Sequence, residues 1–243
     1  MFAPVDYSAL VKGKHVLLVH CDSELEEVIS GLMRQHQAQV SCVQSIAQLQ
    51  EIEPADVVIC GTTQQPKKLF HEMDPMVTAV SASGDMEIIA AAVRHSIGHM
   101  MQNCCGNVIL LLSEFGAYNA PGRSCESAAS GAAEAFCNAL AMDYCKYNIR
   151  CNSIRMAFHT GKTGAQRLHE LQLDAQEAKD LQLLRRCADT QDVANAVLFL
   201  ASNMSAFISG ETIPLTGGGF AIGHNQVWRT WLQRIRTEDT LTD

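Results

Sequence analysis

Acidic side chains crowd the stretch of this chain where anion-binding chemistry would call for glycines. Between the apolar run His15-Val16-Leu17-Leu18-Val19 and a helical pattern starting near Glu24, the chain reads His20-Cys21-Asp22-Ser23-Glu24-Leu25-Glu26-Glu27. A phosphate bound at a strand-to-helix turn needs bare backbone N–H groups and the positive end of the helix dipole. Here side chains fill that space, and Asp22, Glu24, Glu26 and Glu27 set like charge beside it, at a cost on the order of 1 to 4 kcal/mol for each pair about 4 Å apart. The same acids suit a helix N-terminus without any ligand, by compensating its dipole, and that is the expected role. His95 and His99, spaced i, i+4 on a predicted helix, could ligate a metal, but no glutamate sits beside His95 as the HExxH pattern demands, so a helix-face or interface role is expected. The ten cysteines form no CxxC pair and fall mostly in apolar segments, which reads as reduced thiols, and adjacent Cys104 and Cys105 have no second ligand pair nearby for a metal.

The elements that would position these residues alternate. The apolar run at 15–19 reads as a buried strand, followed by a helix carrying Leu25, Val28, Ile29, Leu32 and Met33 on one face. A second strand follows at Val40 to Val43, a short helix at Ile46 to Ile52 and a third strand at Asp56 to Cys60. Beyond Pro66, a helix from about Met86 to Gln102 precedes the apolar strand Val108 to Leu112. An alanine-rich helix from about Ser127 to Tyr147, a strand at Arg150 to Met156 and a polar helical segment near Ala165 to Leu184 come next. Asp189 or Thr190 caps the helix Val193 to Leu200, and a last strand runs from Thr212 to Thr216. Strands separated by helices imply a single α/β domain with a doubly wound parallel sheet and right-handed crossovers. The 243 residues, 47% hydrophobic, suffice for one substantial core. A net charge of −8 leaves no basic footprint for nucleic acid. No apolar run reaches the roughly 18 to 20 residues of a membrane span, and no signal pattern opens the chain, so no membrane and a cytoplasmic location are expected. The tail at 220–243, with Trp228, Trp231, Leu232 and Ile235 at helical spacing, carries an apolar stripe for its own domain or a partner.

Several separate motifs agree on a resemblance. Gly106-Asn107-Val108-Ile109-Leu110-Leu111-Leu112-Ser113, the alanine-rich helix, Asn148-Ile149-Arg150-Cys151-Asn152-Ser153-Ile154, and the run from Asp192 through Ser202 to Gly210 and Gly217-Gly218 resemble the short-chain dehydrogenase/reductase family. The resemblance implies a Rossmann-like sheet, a nicotinamide cofactor at its C-terminal edge, and a catalytic serine, tyrosine and lysine. Ser113 matches the family serine, about one residue out of the usual spacing, while the tyrosine and lysine positions align with Ser127 and Gly131. The glycine-rich turn is replaced by the loop of His20, Glu24 and Glu26, and the proline-glycine pair after the sixth strand by Met156-Ala157. The connection from Val40 to Asp56 leaves room for a short helix alone, so one edge strand is expected to be missing. With neither a phenol nor an ammonium to titrate, the resemblance implies degenerate catalytic positions and no cofactor on this chain.

Ala128, Ala129, Ala132, Ala133, Ala135 and Ala139 keep small helix faces where the family builds its subunit contacts. The combined expectation is a non-catalytic subunit, as in hydroxyacyl-CoA dehydrogenases of anaerobic toluene degradation, paired in a hetero-oligomer, a tetramer, with a homologous active subunit that carries NAD. Two other classes stay open: a ligand-sensing or regulatory Rossmann protein, and a cofactor-independent enzyme on the same fold. Halohydrin dehalogenases represent the latter, but they keep the tyrosine.

Overall fold

In the computed structural model, residues 8–62, 67–73, 75–117, 121–157, 159–170, 173–180 and 182–219 are described. Six parallel strands form one sheet: β1 (His15–Val19), β2 (Gln39–Val43), β3 (Val57–Cys60), β4 (Gly106–Ser113), β5 (Ile149–Met156) and β6 (Thr212–Leu215), in the spatial order β2-β1-β3-β4-β5-β6. The helices are α1 (Ser23–Gln35), α2 (Ile46–Leu49), α3 (Pro75–Asn103), α4 (Ser124–Tyr144), α5 (Lys162–Glu170), α6 (Ala175–Asp180) and α7 (Thr190–Ala201). The result is a Rossmann-like doubly wound α/β fold. With only the four-residue α2 between β2 and β3, β2 forms the edge of the sheet, as the short Val40 to Asp56 connection predicts.

β3, nearly all of β1 and the middle of β4 are apolar because helices cover both faces. Side chains alternate along each strand: Leu17 and Val19, with Val58, Cys60, Val108 and Leu110, pack toward α3 and α4, together with Ile89, Val93, Ala133 and Cys137. Val16 and Leu18, with Ile59, Ile109 and Leu111, pack on the other face against Leu25, Ile29 and Met33 of α1 and Val193 and Val197 of α7. Asp189 caps α7 by accepting the Asp192 N–H at 2.8 Å, and the Asp192 carboxylate accepts the Asp189 N–H in return. The strand order reverses direction beside β1. A crevice therefore opens outside the C-terminal ends of β1 and β3, the place where open α/β sheets bind ligands.

Two expectations shift. The helix placed at Met86 begins at Pro75, and the polar segment near 165–184 divides into α5 and α6. Trp228 and Trp231 lie outside the described residues.

Candidate functional site

A cavity of about 410 Å³ sits at the C-terminal edge of the sheet, within the size range of small-molecule sites. Its walls come from the β1–α1 turn (His20, Cys21, Asp22), the end of β3 (Gly61, Thr62), the end of β4 (Leu111, Ser113), the first turn of α4 (Glu126) and the segment after β5 (His159). Gly61 makes the close approach of two of these walls possible, since a Cβ there would lie 2.6 Å from the His20 carbonyl oxygen. His20 holds a left-handed backbone, φ 54°, which a non-glycine residue adopts only under local strain.

Ser113 closes β4. Its hydroxyl accepts the Phe115 N–H at 3.2 Å. The Ser130 hydroxyl accepts the Ser113 N–H at 2.8 Å and donates to the Ser113 carbonyl at 3.2 Å, tying α4 to the strand end. Glu126, only 3% exposed, is held by Arg123, whose NH1 lies 3.2 Å from its carboxylate. Arg123 is buried in turn, with NH2 2.6 Å from Glu170 of α5 and its guanidinium 5.4 Å above the Phe115 ring. A carboxylate anchored this way keeps its orientation, because moving it strands a buried cation. On the opposite wall, the His20 ring nitrogen sits 3.6 Å from Asp85 of α3, a carboxylate that is 2% exposed. Burial pushes the Cys21 thiol up to about 12, with the nearby Glu26 charge acting in the same direction, and burial raises Cys60 as well.

The sequence alignment sets Ser127 and Gly131 on the catalytic helix. Glu126, not Ser127, faces the cavity beside Ser113. Ser127 is absent from the cavity wall, and Gly131 packs toward the Gly116 carbonyl, 4.0 Å from its would-be Cβ. Sequence reasoning missed Glu126; the signal was the i, i+3 pairing of Arg123 with Glu126 at the start of an otherwise small-residue helix. The His95 Nε2–H donates to the Ile52 carbonyl at 2.8 Å, and the His99 Nε2 lies 3.0 Å from the Asp56 carboxylate. Both belong to the seam between α3 and the start of β3. All ten cysteines are free thiols, with Cys104 and Cys105 exposed.

A family model described as Enoyl-(Acyl carrier protein) reductase matches residues 8–219. The chain belongs to the short-chain dehydrogenase/reductase family. A cyclopentanol dehydrogenase of Comamonas is 35% identical over 117 residues, 46% of this chain and 45% of that protein. A human (3R)-3-hydroxyacyl-CoA dehydrogenase is 26% identical over 170 residues, 69% of this chain and 63% of that one. The matched region thus spans less than two thirds of the length of either relative. A crystal structure of a Brucella melitensis 3-oxoacyl-[acyl-carrier protein] reductase with bound NAD superposes with a TM-score of 0.74 at 16% identity, covering 90% of this chain and 97% of that one. At that identity the likeness speaks for the fold.

These findings overturn the expectation of a non-catalytic subunit. The family matched over most of the chain is one of oxidoreductases, and the named relatives are dehydrogenases. On α4, Ser127 and Gly131 offer no titrating group, and the carboxylate that the helix brings to the cavity wall is that of Glu126.

The family's members bind nicotinamide dinucleotides, which raises the question of whether this cleft fits one. Its phosphate end fits one poorly. The Asp22 carboxylate accepts the Glu24 N–H at 2.9 Å and the Leu25 N–H at 3.4 Å, occupying amides at the start of α1. Glu24 accepts the Lys162 N–H at 2.9 Å from across the cleft. Gln44, at the end of β2, donates to Glu26 and to the Cys21 carbonyl. The Glu24 and Leu25 amides at the start of α1 are thus bonded to the chain's own Asp22 carboxylate.

Proposed function

We propose that this chain is an oxidoreductase-class enzyme that interconverts a secondary hydroxyl and a carbonyl on a small organic substrate held in the cleft. Glu126 accepts the hydroxyl proton in one direction and returns it in the other, and Ser113 hydrogen-bonds the substrate oxygen. The observation that carries this reading is the pairing of Ser113 and Glu126 on one cavity at the C-terminal edge of the sheet. A carboxylate on the wall of the cavity that holds a substrate hydroxyl is a competent general base, and the Arg123 anchor holds it in one orientation. Cyclopentanol and 3-hydroxyacyl-CoA, named for two relatives, are both secondary alcohols, which supports the substrate class. The family's oxidant is a nicotinamide dinucleotide; only the proton is assigned here to residues of this chain.

The test is turnover of cyclic secondary alcohols and 3-hydroxyacyl thioesters with NAD⁺ or NADP⁺, followed by absorbance of the reduced nicotinamide. The wild-type chain turns over at least one of them, and Glu126→Gln lowers kcat by about 10²- to 10⁴-fold. A Glu126→Gln variant with unchanged kcat sinks the assignment, as does a wild-type chain inert toward every alcohol of the class.

The wider setting belongs to the same proposal. Ala128, Ala132, Ala135 and Ala139 form an exposed small-residue stripe on α4, suited to close packing against another subunit of the same family. Ten free thiols fit a reducing, cytoplasmic compartment, and among the described residues no helix is long and apolar enough to cross a membrane. Native mass measurement tests the assembly.

A further inference from the structure

We propose that Asp22 and Glu24 form a carboxylate latch over the phosphate end of the cleft, so that a nicotinamide dinucleotide binds this chain weakly and only by displacing both. The inference rests on the reading of the cleft as a hydroxyl–carbonyl site of a nicotinamide-using family.

Two separate walls carry the latch. On the first, Asp22 accepts from the Glu24 and Leu25 amides and takes the position at the start of α1 where an incoming phosphate would be stabilised. On the second, the loop after β5 offers the Lys162 N–H to Glu24 across 138 positions of sequence. That contact has its own requirement: Gly161 has φ +114°, and a Cβ there would lie 2.1 Å from Glu24 Oε2. Glycine is therefore demanded twice at this position, once by the backbone and once by the carboxylate against it. The bond joins the β1–α1 turn to the N-terminus of α5 and straps the cleft where a dinucleotide would cross it. Phosphate and carboxylate compete for the same N–H groups, and each retained carboxylate also repels the phosphate. In a glycine-rich turn nothing has to leave before the ligand enters; here two side chains do.

The experiment is isothermal titration calorimetry of NAD⁺ and of NADP⁺ into the full chain, without substrate, for the wild type, Glu24→Gln and the double variant Asp22→Gly/Glu24→Gln. Glycine is a tolerated helix N-cap, so the double variant keeps α1, and matching circular dichroism verifies its fold. The wild type is expected to bind in the millimolar range, Glu24→Gln several-fold tighter and the double variant at least tenfold tighter. Micromolar binding by the wild type overturns the latch. So does a folded double variant with wild-type affinity, and so does an unaltered Glu24→Gln, which leaves α1 intact in every case. A double variant that binds tightly yet oxidises no alcohol supports the latch and counts against the proposed activity, so the two fail separately.

Discussion

At the N-terminal edge of the sheet, Lys14, Asn107 and Arg150 point at the backbone where α7 ends; at the C-terminal edge, His20, Asp85, Ser113 and Glu126 surround a cavity. The last carbonyls of a helix lack partners within it and favour cations. Lys14 and Asn107 reach the Ala201 carbonyl at 3.0 and 3.1 Å, and Arg150 reaches Leu200 and Ser202 at 2.8 and 3.1 Å. A second arm of Arg150 bonds the Ser205 hydroxyl at 2.9 Å. Burial lowers the pKa of both Lys14 and Arg150, so these cations are held in place against a desolvation cost that the carbonyls offset. Each polar group at this edge answers a demand made by the fold. At the opposite edge the demands run the other way: Arg123 exists to hold Glu126, and a strained His20 faces a buried Asp85, arrangements that no helix end or strand pairing requires. At one edge the polar groups answer the ends of α7; at the other they line the cavity.

The comparison breaks first at Glu126. Replacement by Gln, with its 10²- to 10⁴-fold expected loss of kcat, also removes the charge facing buried Arg123 and lowers the unfolding midpoint; the loss of turnover per folded molecule ties Glu126 to chemistry, and wild-type turnover per folded molecule would place it with the structural groups. Arg150→Ala tests the other side. It leaves several carbonyls at the end of α7 without their charged donor and costs about 3 kcal/mol of stability, read from urea denaturation, while turnover per folded molecule stays unchanged. Equal stability of Arg150→Ala and wild type would erase the contrast.

Thiol labelling sharpens it further. With Cys21 raised to about 12 and Cys137 to about 11 by burial, iodoacetamide at pH 8 finds a thiolate in only about one Cys21 side chain in ten thousand. Exposed Cys104, Cys105 and Cys145 are modified first in time-resolved mass spectrometry, and early labelling of Cys21 at the cavity wall would show that the cleft opens. The smallest effect belongs to Asp192, held at about 2 by the Arg186 hydrogen bond. A carboxyl depressed in the folded state contributes stability above its ordinary range and loses it as pH falls from about 3.8 toward 2. Thermal melts of Asp192→Asn should therefore fall slightly below wild type at pH 7 and converge with it near pH 2. The pair is largely exposed, so the gap stays well under that of Arg150→Ala.

Most of the fold was legible along the chain, because strands and amphipathic helices announce themselves by local periodicity. The five-residue apolar run of β1, the spacing of Leu25, Ile29 and Met33, and the Asp189 cap of α7 each depend on neighbours a few positions away. The acids of the β1–α1 turn were legible for the same reason, as was the shortened connection that leaves β2 at the edge. The start of α3 at Pro75 was not, since the segment before Met86 lacks the clear apolar face that marks a helix from its own sequence.

The site divides along the same line. Sequence by itself determined that this is a family member with Ser113 at the end of its fourth strand and carboxylates in place of glycines at the first turn. Only the tertiary structure decided which face of α4 meets the cavity, setting Glu126 rather than Ser127 on the wall that Ser113 also lines. It also decided that Glu24 bonds Lys162 and that His20 meets Asp85. Pattern records what a residue's near neighbours require; the face a helix turns to a cavity and a contact between loops far apart in sequence are set by how the layers pack, and no local spacing carries them.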